Sequence, residues 1–144
     1  MNCWIPPKSP YDLLQEQLYQ DPWKIFVCCI FCNLTKRRTA EPYFWKFLKR
    51  WTTPEEASLA NESEIATLIK NLGLSKRRAK ALKRMSYEYT HKEWKNDATA
   101  LYGIGKYASD AYQIFCVGNW EEIQPKDGAL INYHNYLKSA HTGN

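Results

Sequence analysis

No apolar run in this 144-residue sequence approaches the ~18 to 20 residues that a membrane-spanning helix needs. The longest, IFVCCIFC at 25–32, reads as one buried helix or strand. The N-terminus has no basic region leading into an apolar one, so no signal peptide and an intracellular location are expected. Nothing alternates with period two over a useful length, so strands are not needed. There is no low-complexity linker and no internal repeat, and residues 1–144 read as a single domain. Metal-binding spacings are also missing. The five cysteines include Cys28, Cys29 and Cys32, but these lie inside FVCCIFC with no second pair and no nearby histidine, so they read as small buried hydrophobes.

What remains is a chain that is 44% hydrophobic and 15% aromatic, which excludes disorder over most of its length and suffices for a core. Its 20 basic and 15 acidic residues leave a net charge of +5. That total is common among proteins with no polyanionic partner. The local clusters say more: Lys36-Arg37-Arg38, Lys76-Arg77-Arg78 with Lys80, and Lys83-Arg84. Each reads either as a solvated helix face or as a nucleic-acid contact.

Helix signals run almost throughout. Ser9-Pro10 predicts a first helix with Tyr11, Leu14 and Leu18 on its apolar face. Asp21-Pro22 opens a second, to about Asn33. Residues 35–50 form a third, where Phe44, Phe47, Leu48 and Trp51 recur at helical spacing and Pro42 predicts a kink or late start. Thr53-Pro54-Glu55-Glu56 is a capping box for a short helix. Residues 61–70 form another, ended by Gly73, and Ser75 caps a long basic helix to about Tyr89. The segment 94–101 carries no clear signal. A helix over 106–116, a loop over 117–126 and a last helix over 127–139 complete an all-α domain.

The stretch LYGIGKYASDAY, 101–112, sets Gly103 and Gly105 directly ahead of a helix. Glycines there allow close backbone approach, and free N–H groups at a helix start favour an anion such as phosphate. Glycines also serve ordinary turns. Leu101, Ile104 and Lys106 supply context, and Leu-x-Gly-Ile-Gly-Lys is similar to the helix-hairpin-helix motif of DNA repair enzymes. Together with PPKSPYDLLQEQL, DPWKIFVCCIFCNLT, FWKFLKRW, LGLSKRRAK, YQIFCVGNWEEIQPKD and YHNYL, in order over nearly the whole chain, it resembles the helix-hairpin-helix, Gly/Pro-rich-loop, catalytic-aspartate (HhH-GPD) DNA glycosylases. Within them the resemblance is to the glycosylase domain of methyl-CpG-binding-domain thymine/uracil glycosylases.

That resemblance implies a base excision repair enzyme that flips thymine or uracil out of duplex DNA, opposite guanine. It implies a monomer without cofactor, in the nucleus of a eukaryotic cell. Asp127 matches the catalytic aspartate and also reads as the cap of the last helix. A carboxylate there stabilises the cationic sugar and orients water. Tyr107 stands where bifunctional relatives carry a Schiff-base lysine, which implies a monofunctional enzyme; read locally, it is a packing residue. Gln15, with neighbouring Leu14, matches the base pocket. Leu74 and Leu72 match a wedge that fills the vacated stack, although a helix-ending glycine with two core leucines explains the same residues. Gly103, Gly105, Lys106, Lys76 and Arg77 are the expected phosphate contacts.

Two departures stand out. Leu34 replaces an arginine that joins the wedge in the family, and Gly128-Ala129 replaces basic and histidine character after Asp127. The four-cysteine iron–sulfur segment is absent, since no cysteine follows Cys116. Two alternatives stay open: a hairpin DNA-binding module of weak catalysis, and a related glycosylase of another base preference.

Overall fold

Asp21 and Pro22 start the most buried element. The structure, a computed structural model, describes residues 3–142. Helix α1 (Pro22–Cys32) is capped by the Asp21 carboxylate, which accepts from the Trp23 N–H at 3.1 Å. Its unbroken apolar run is buried on all sides, as a helix lacking a polar face must be. It packs against α2 (Arg37–Arg50), α5 (Ser75–His91) and α6 (Lys106–Ala111). Trp23 donates through Nε1 to Ser86 Oγ at 2.9 Å, so this buried polar pair is satisfied.

Helix α2 turns Ala40, Phe44, Phe47 and Leu48 inward, and it continues through Pro42. The missing Pro42 N–H leaves the Arg38 carbonyl unpaired within the helix. Both residues are exposed, so water can serve instead. The short helices α3 (Pro54–Leu59) and α4 (Glu62–Leu68) brace α5. Thr53 caps α3, but the Glu56 carboxylate closes back on Thr52 N and Oγ1 at 3.0 Å, one residue earlier than the expected box.

Three further details differ from what the sequence predicts. Ser9-Pro10 opens no helix; only a 3-10 turn forms there, Leu14–Gln17. The Glu16 carboxylate accepts from Ser9 N at 2.8 Å, Ser9 Oγ at 2.6 Å and Leu13 N at 2.8 Å, and these bonds fold the segment into a loop. Tyr133 of α7 (Gly128–Thr142) clips that loop down by donating to the Pro7 carbonyl at 2.7 Å. Ser75 is not a cap but the first residue of α5. The cap is Leu74, whose left-handed backbone (φ 52°) turns the chain straight into the helix. Finally, α6 widens into a π turn, Tyr112–Val117, closed by the Gly118 N–H on the Gln113 carbonyl at 2.9 Å.

Among the described residues there is no strand, and no helix is long and apolar enough to cross a membrane. The fold is all-α, with the N-terminal loop, α1, α6 and the start of α7 converging on one pocket.

Candidate active site and nucleic-acid face

That pocket has a volume of about 210 Å³, and its walls include Leu14, Gln15, Cys32, Arg37, Tyr107 and Asp127. Residues expected to act together, yet distant in sequence, do meet here. The Gln15 amide donates through Nε2 to the Tyr107 hydroxyl at 3.0 Å. The same nitrogen lies 3.9 Å from the Cys29 thiol behind it. Gln15 Oε1 accepts no hydrogen bond among the described residues. Leu14, fully buried, forms the apolar wall.

Asp127 stands directly before α7. Its Oδ2 accepts from the Leu130 N–H at 3.1 Å, and its carbonyl accepts from the Ile131 N–H at 2.8 Å. It is therefore a helix cap and a pocket wall at once. Oδ1 takes no further hydrogen bond among the described residues, so it has lone pairs to offer.

Burial, then the neighbouring cysteines and the Asp127 charge, raise the Tyr107 pKa far above the tyrosine range. The group is a neutral phenol at any physiological pH. Cys29 is likewise held as a thiol, chiefly by burial. Cys32, at the pocket wall, moves the other way: a hydrogen bond from Cys28 and the Arg37 charge lower its pKa against burial. Among the described residues no group of three His, Cys, Asp or Glu side chains is placed to hold a metal.

A second pocket of about 190 Å³ lies between Leu34, Leu74, Arg77, Arg78, Tyr102 and Gly103. Leu34 is 78% exposed and Leu74 48%, unusual for leucines, and both have left-handed backbones. Leu72 is only half-buried and packs against the core. Of the three leucines expected in the wedge, Leu74 and Leu34 line the same pocket and Leu72 does not.

Three helices that line these pockets, α2, α5 and α6, differ from the capped ones at their N-termini. Helices α1, α3 and α4 are capped by Asp21, Thr53 and Asn61. By contrast α2, α5 and α6 have no side-chain cap and no acidic residue in the first turn, and they begin with Lys36-Arg37-Arg38, Lys76-Arg77-Arg78 and Lys106. Cations beside a positive helix end are unfavourable alone and favourable once an anion sits between them.

Gly103 has φ 79°, and a β-carbon there would lie 3.1 Å from that of Ala81, so the turn and α5 both require glycine. At Gly105 a β-carbon would meet nothing within 4 Å. Its internal packing gives no reason for glycine. Lys106 binds Asp110 at 2.7 Å, so its charge is already matched. Lys76 and Arg77 are exposed and enter no ion pair among the described residues.

Sequence reasoning missed Glu16, which shapes the loop bearing Leu14 and Gln15, and Glu88. The latter accepts from the Tyr102 N–H at 2.7 Å and from Arg84 Nε at 3.0 Å, pinning the glycine hairpin to α5. It also missed that Arg78 is buried. No local signal marks any of the three.

Comparison with known proteins agrees with this geometry. Residues 27–143 match the model of the HhH-GPD superfamily base excision DNA repair proteins. The chain is 42% identical over 137 residues, 95% of its length, to the methyl-CpG-binding domain protein 4-like protein of Arabidopsis thaliana, of which it covers 31%. It is 28% identical over 72% of its length to the thymine/uracil-DNA glycosylase of Pyrobaculum aerophilum, covering 47% of that protein. A thymine-DNA glycosylase of Aeropyrum pernix is 27% identical over 72% of the chain, which covers 49% of it. The chain thus spans less than half of each relative, and it belongs to the HhH-GPD superfamily of base excision DNA repair proteins.

Proposed function

We propose that this chain is a monofunctional DNA N-glycosylase domain that hydrolyses thymine or uracil from duplex DNA, opposite guanine, in the nucleus of a eukaryotic cell. The observation that carries the reading is the single pocket shared by Gln15, Tyr107 and Asp127. An amide oxygen and a neutral phenol suit the polar edge of an extruded pyrimidine. The glycosidic C–N bond breaks with its electron pair leaving on the base. The Asp127 carboxylate stabilises the cationic sugar and takes the proton from the water that attacks it.

Tyrosine at 107 supplies no amine for a covalent sugar intermediate. The uncapped basic starts of α2, α5 and α6 are suited to phosphates flanking the extruded nucleotide. Leu34 and Leu74 suit the vacated space in the stack.

A panel of duplexes carrying uracil or thymine opposite guanine or adenine, with alkylated and adenine-mismatch controls, tests the reading. Release from the guanine mismatches, with strand breaks appearing only after hot alkali, is the expected result. Strand breaks without alkali refute the monofunctional part. Binding without release from any duplex refutes the enzyme.

A further inference from the structure

Arg78 sits in the first turn of α5 beside Lys76 and Arg77, yet those two face solvent while Arg78 is only 4% exposed. Among the described residues it enters no ion pair. Its guanidinium donates instead to three oxygens. Nη1 reaches the Gly73 carbonyl at 2.7 Å, and Nη2 reaches the Asn33 carbonyl at 3.0 Å and the Thr35 hydroxyl. Burial depresses its pKa, and an ion buried without a carboxylate partner carries a desolvation cost that its hydrogen bonds must offset.

The two carbonyls belong to the peptide groups immediately ahead of Leu74 and Leu34. Those leucines have φ 52° and 63°. A residue with a β-carbon keeps a left-handed backbone only where its surroundings over-determine it. Fixing the preceding peptide plane is one way to do so. The planar fork of an arginine spans both carbonyls in a set geometry, whereas a lysine ammonium is a single point.

We infer that Arg78 is a positioning residue: one buried guanidinium holds the peptide groups ahead of Leu34 and Leu74, so that both side chains enter a base stack as one preset wedge. This rests on the proposed action on duplex DNA. The tie between the loops is a property of the free protein and is measured separately.

Arg78→Lys keeps the charge and removes the fork. Hydrogen exchange is read at the Thr35 and Gly73 amides, which bond the Cys32 and Lys70 carbonyls inside the two tied turns. Both should exchange roughly tenfold faster in the variant, with the interior of α1 unchanged. Base extrusion is read by 2-aminopurine fluorescence beside a non-hydrolysable 2′-fluorodeoxyuridine opposite guanine. The extrusion constant should fall roughly tenfold in Arg78→Lys, and should not fall further when that change is added to Leu34→Ala/Leu74→Ala.

Unchanged exchange overturns the inference. So does an equal fall in extrusion with and without the leucines, which is what a merely structural role produces. Should Arg78→Lys fail to fold, Arg78→Met is measured in the same way. A wild-type protein that extrudes and releases no base from any duplex defeats the proposed function, and the exchange measurement then decides Arg78 alone.

Discussion

Gln15 and Tyr107, 92 positions apart, are joined by one hydrogen bond of 3.0 Å that closes the back of the pocket. Tyr107 accepts that bond as a neutral phenol, because burial above all keeps its proton on. Removing the hydroxyl in Tyr107→Phe strands the Gln15 N–H and frees the amide to turn. A net hydrogen bond of about 0.5–1.5 kcal/mol corresponds to roughly 2- to 12-fold in single-turnover excision. Borohydride should trap no enzyme–DNA adduct in the wild-type protein. A trapped band would show that some lysine acts as an amine the mechanism leaves out, and Lys106 and Lys36, which borders the same pocket, are the ones to substitute next.

Asp127→Asn separates capping from catalysis. Asparagine caps as well as aspartate, so the bond to Leu130 and the start of α7 should survive. The anion is lost. Excision should fall by roughly 10²- to 10⁴-fold, the contribution of a positioned acid–base group, with the melting temperature and duplex affinity nearly unchanged. Single-turnover rates beside a thermal melt check both halves.

Glu88 ties the hairpin to the rest of the protein, and its charge should show in the pH dependence of stability. Burial is the largest influence on its carboxyl and pushes the pKa up, but the Tyr102 N–H, Arg84 and Lys92 outweigh it, leaving the folded value below the ordinary 4.5. The stabilisation is therefore complete above the unfolded value and disappears as pH falls through the folded one. Glu88→Gln should cost about 1.5–3 kcal/mol at pH 7, the worth of hydrogen bonds to a charged group. Urea unfolding of both proteins at pH 7 and pH 3 should show that gap closing in acid.

Much of this was legible in the sequence because the signal was local. Asp21-Pro22 and the apolar run behind it dictate a buried, capped α1, and the glycine pair ahead of Lys106 dictates an open turn before α6. Asp127 was legible twice over, as a cap and as a match to a known family. The residues that escaped are polar groups whose partners are backbone atoms far along the chain. Arg78 bonds a carbonyl 45 positions away and Glu88 an N–H 14 positions away. Each stands in a pattern that reads as a solvated helix face. The same blindness produced the false first helix, where the Glu16 carboxylate competes for Ser9 and Leu13.

Salt should separate the exposed cations from the matched ones. Lys36, Arg38, Lys76 and Arg77 are the exposed or half-free charges at the uncapped helix starts, whereas Lys106 and Arg84 are bound to Asp110 and Glu88. Four phosphate contacts predict a slope of log K against log salt near −3.6 on duplex DNA. Lys76→Ala should make the slope shallower by about 0.9, and Lys106→Ala should change it less. A slope near zero would leave these residues as solvated faces only.

Leu34 carries the last prediction. Its left-handed backbone and 78% exposure project the side chain to the rim of the second pocket, opposite Leu74. Leucine there can fill space but cannot hydrogen-bond an orphaned base or a phosphate. Discrimination between guanine and adenine opposite the target then depends on how readily the pair opens, so uracil should leave faster from a guanine mismatch than from a pair with adenine. Leu34→Arg has room for the longer side chain, since nothing covers it. A well-made charged hydrogen bond adds about 1.5–3 kcal/mol, or roughly 10- to 150-fold in affinity for the abasic product. Product binding by both proteins at one salt concentration checks this. Equal affinities would mean that residue 34 does not face the vacated space.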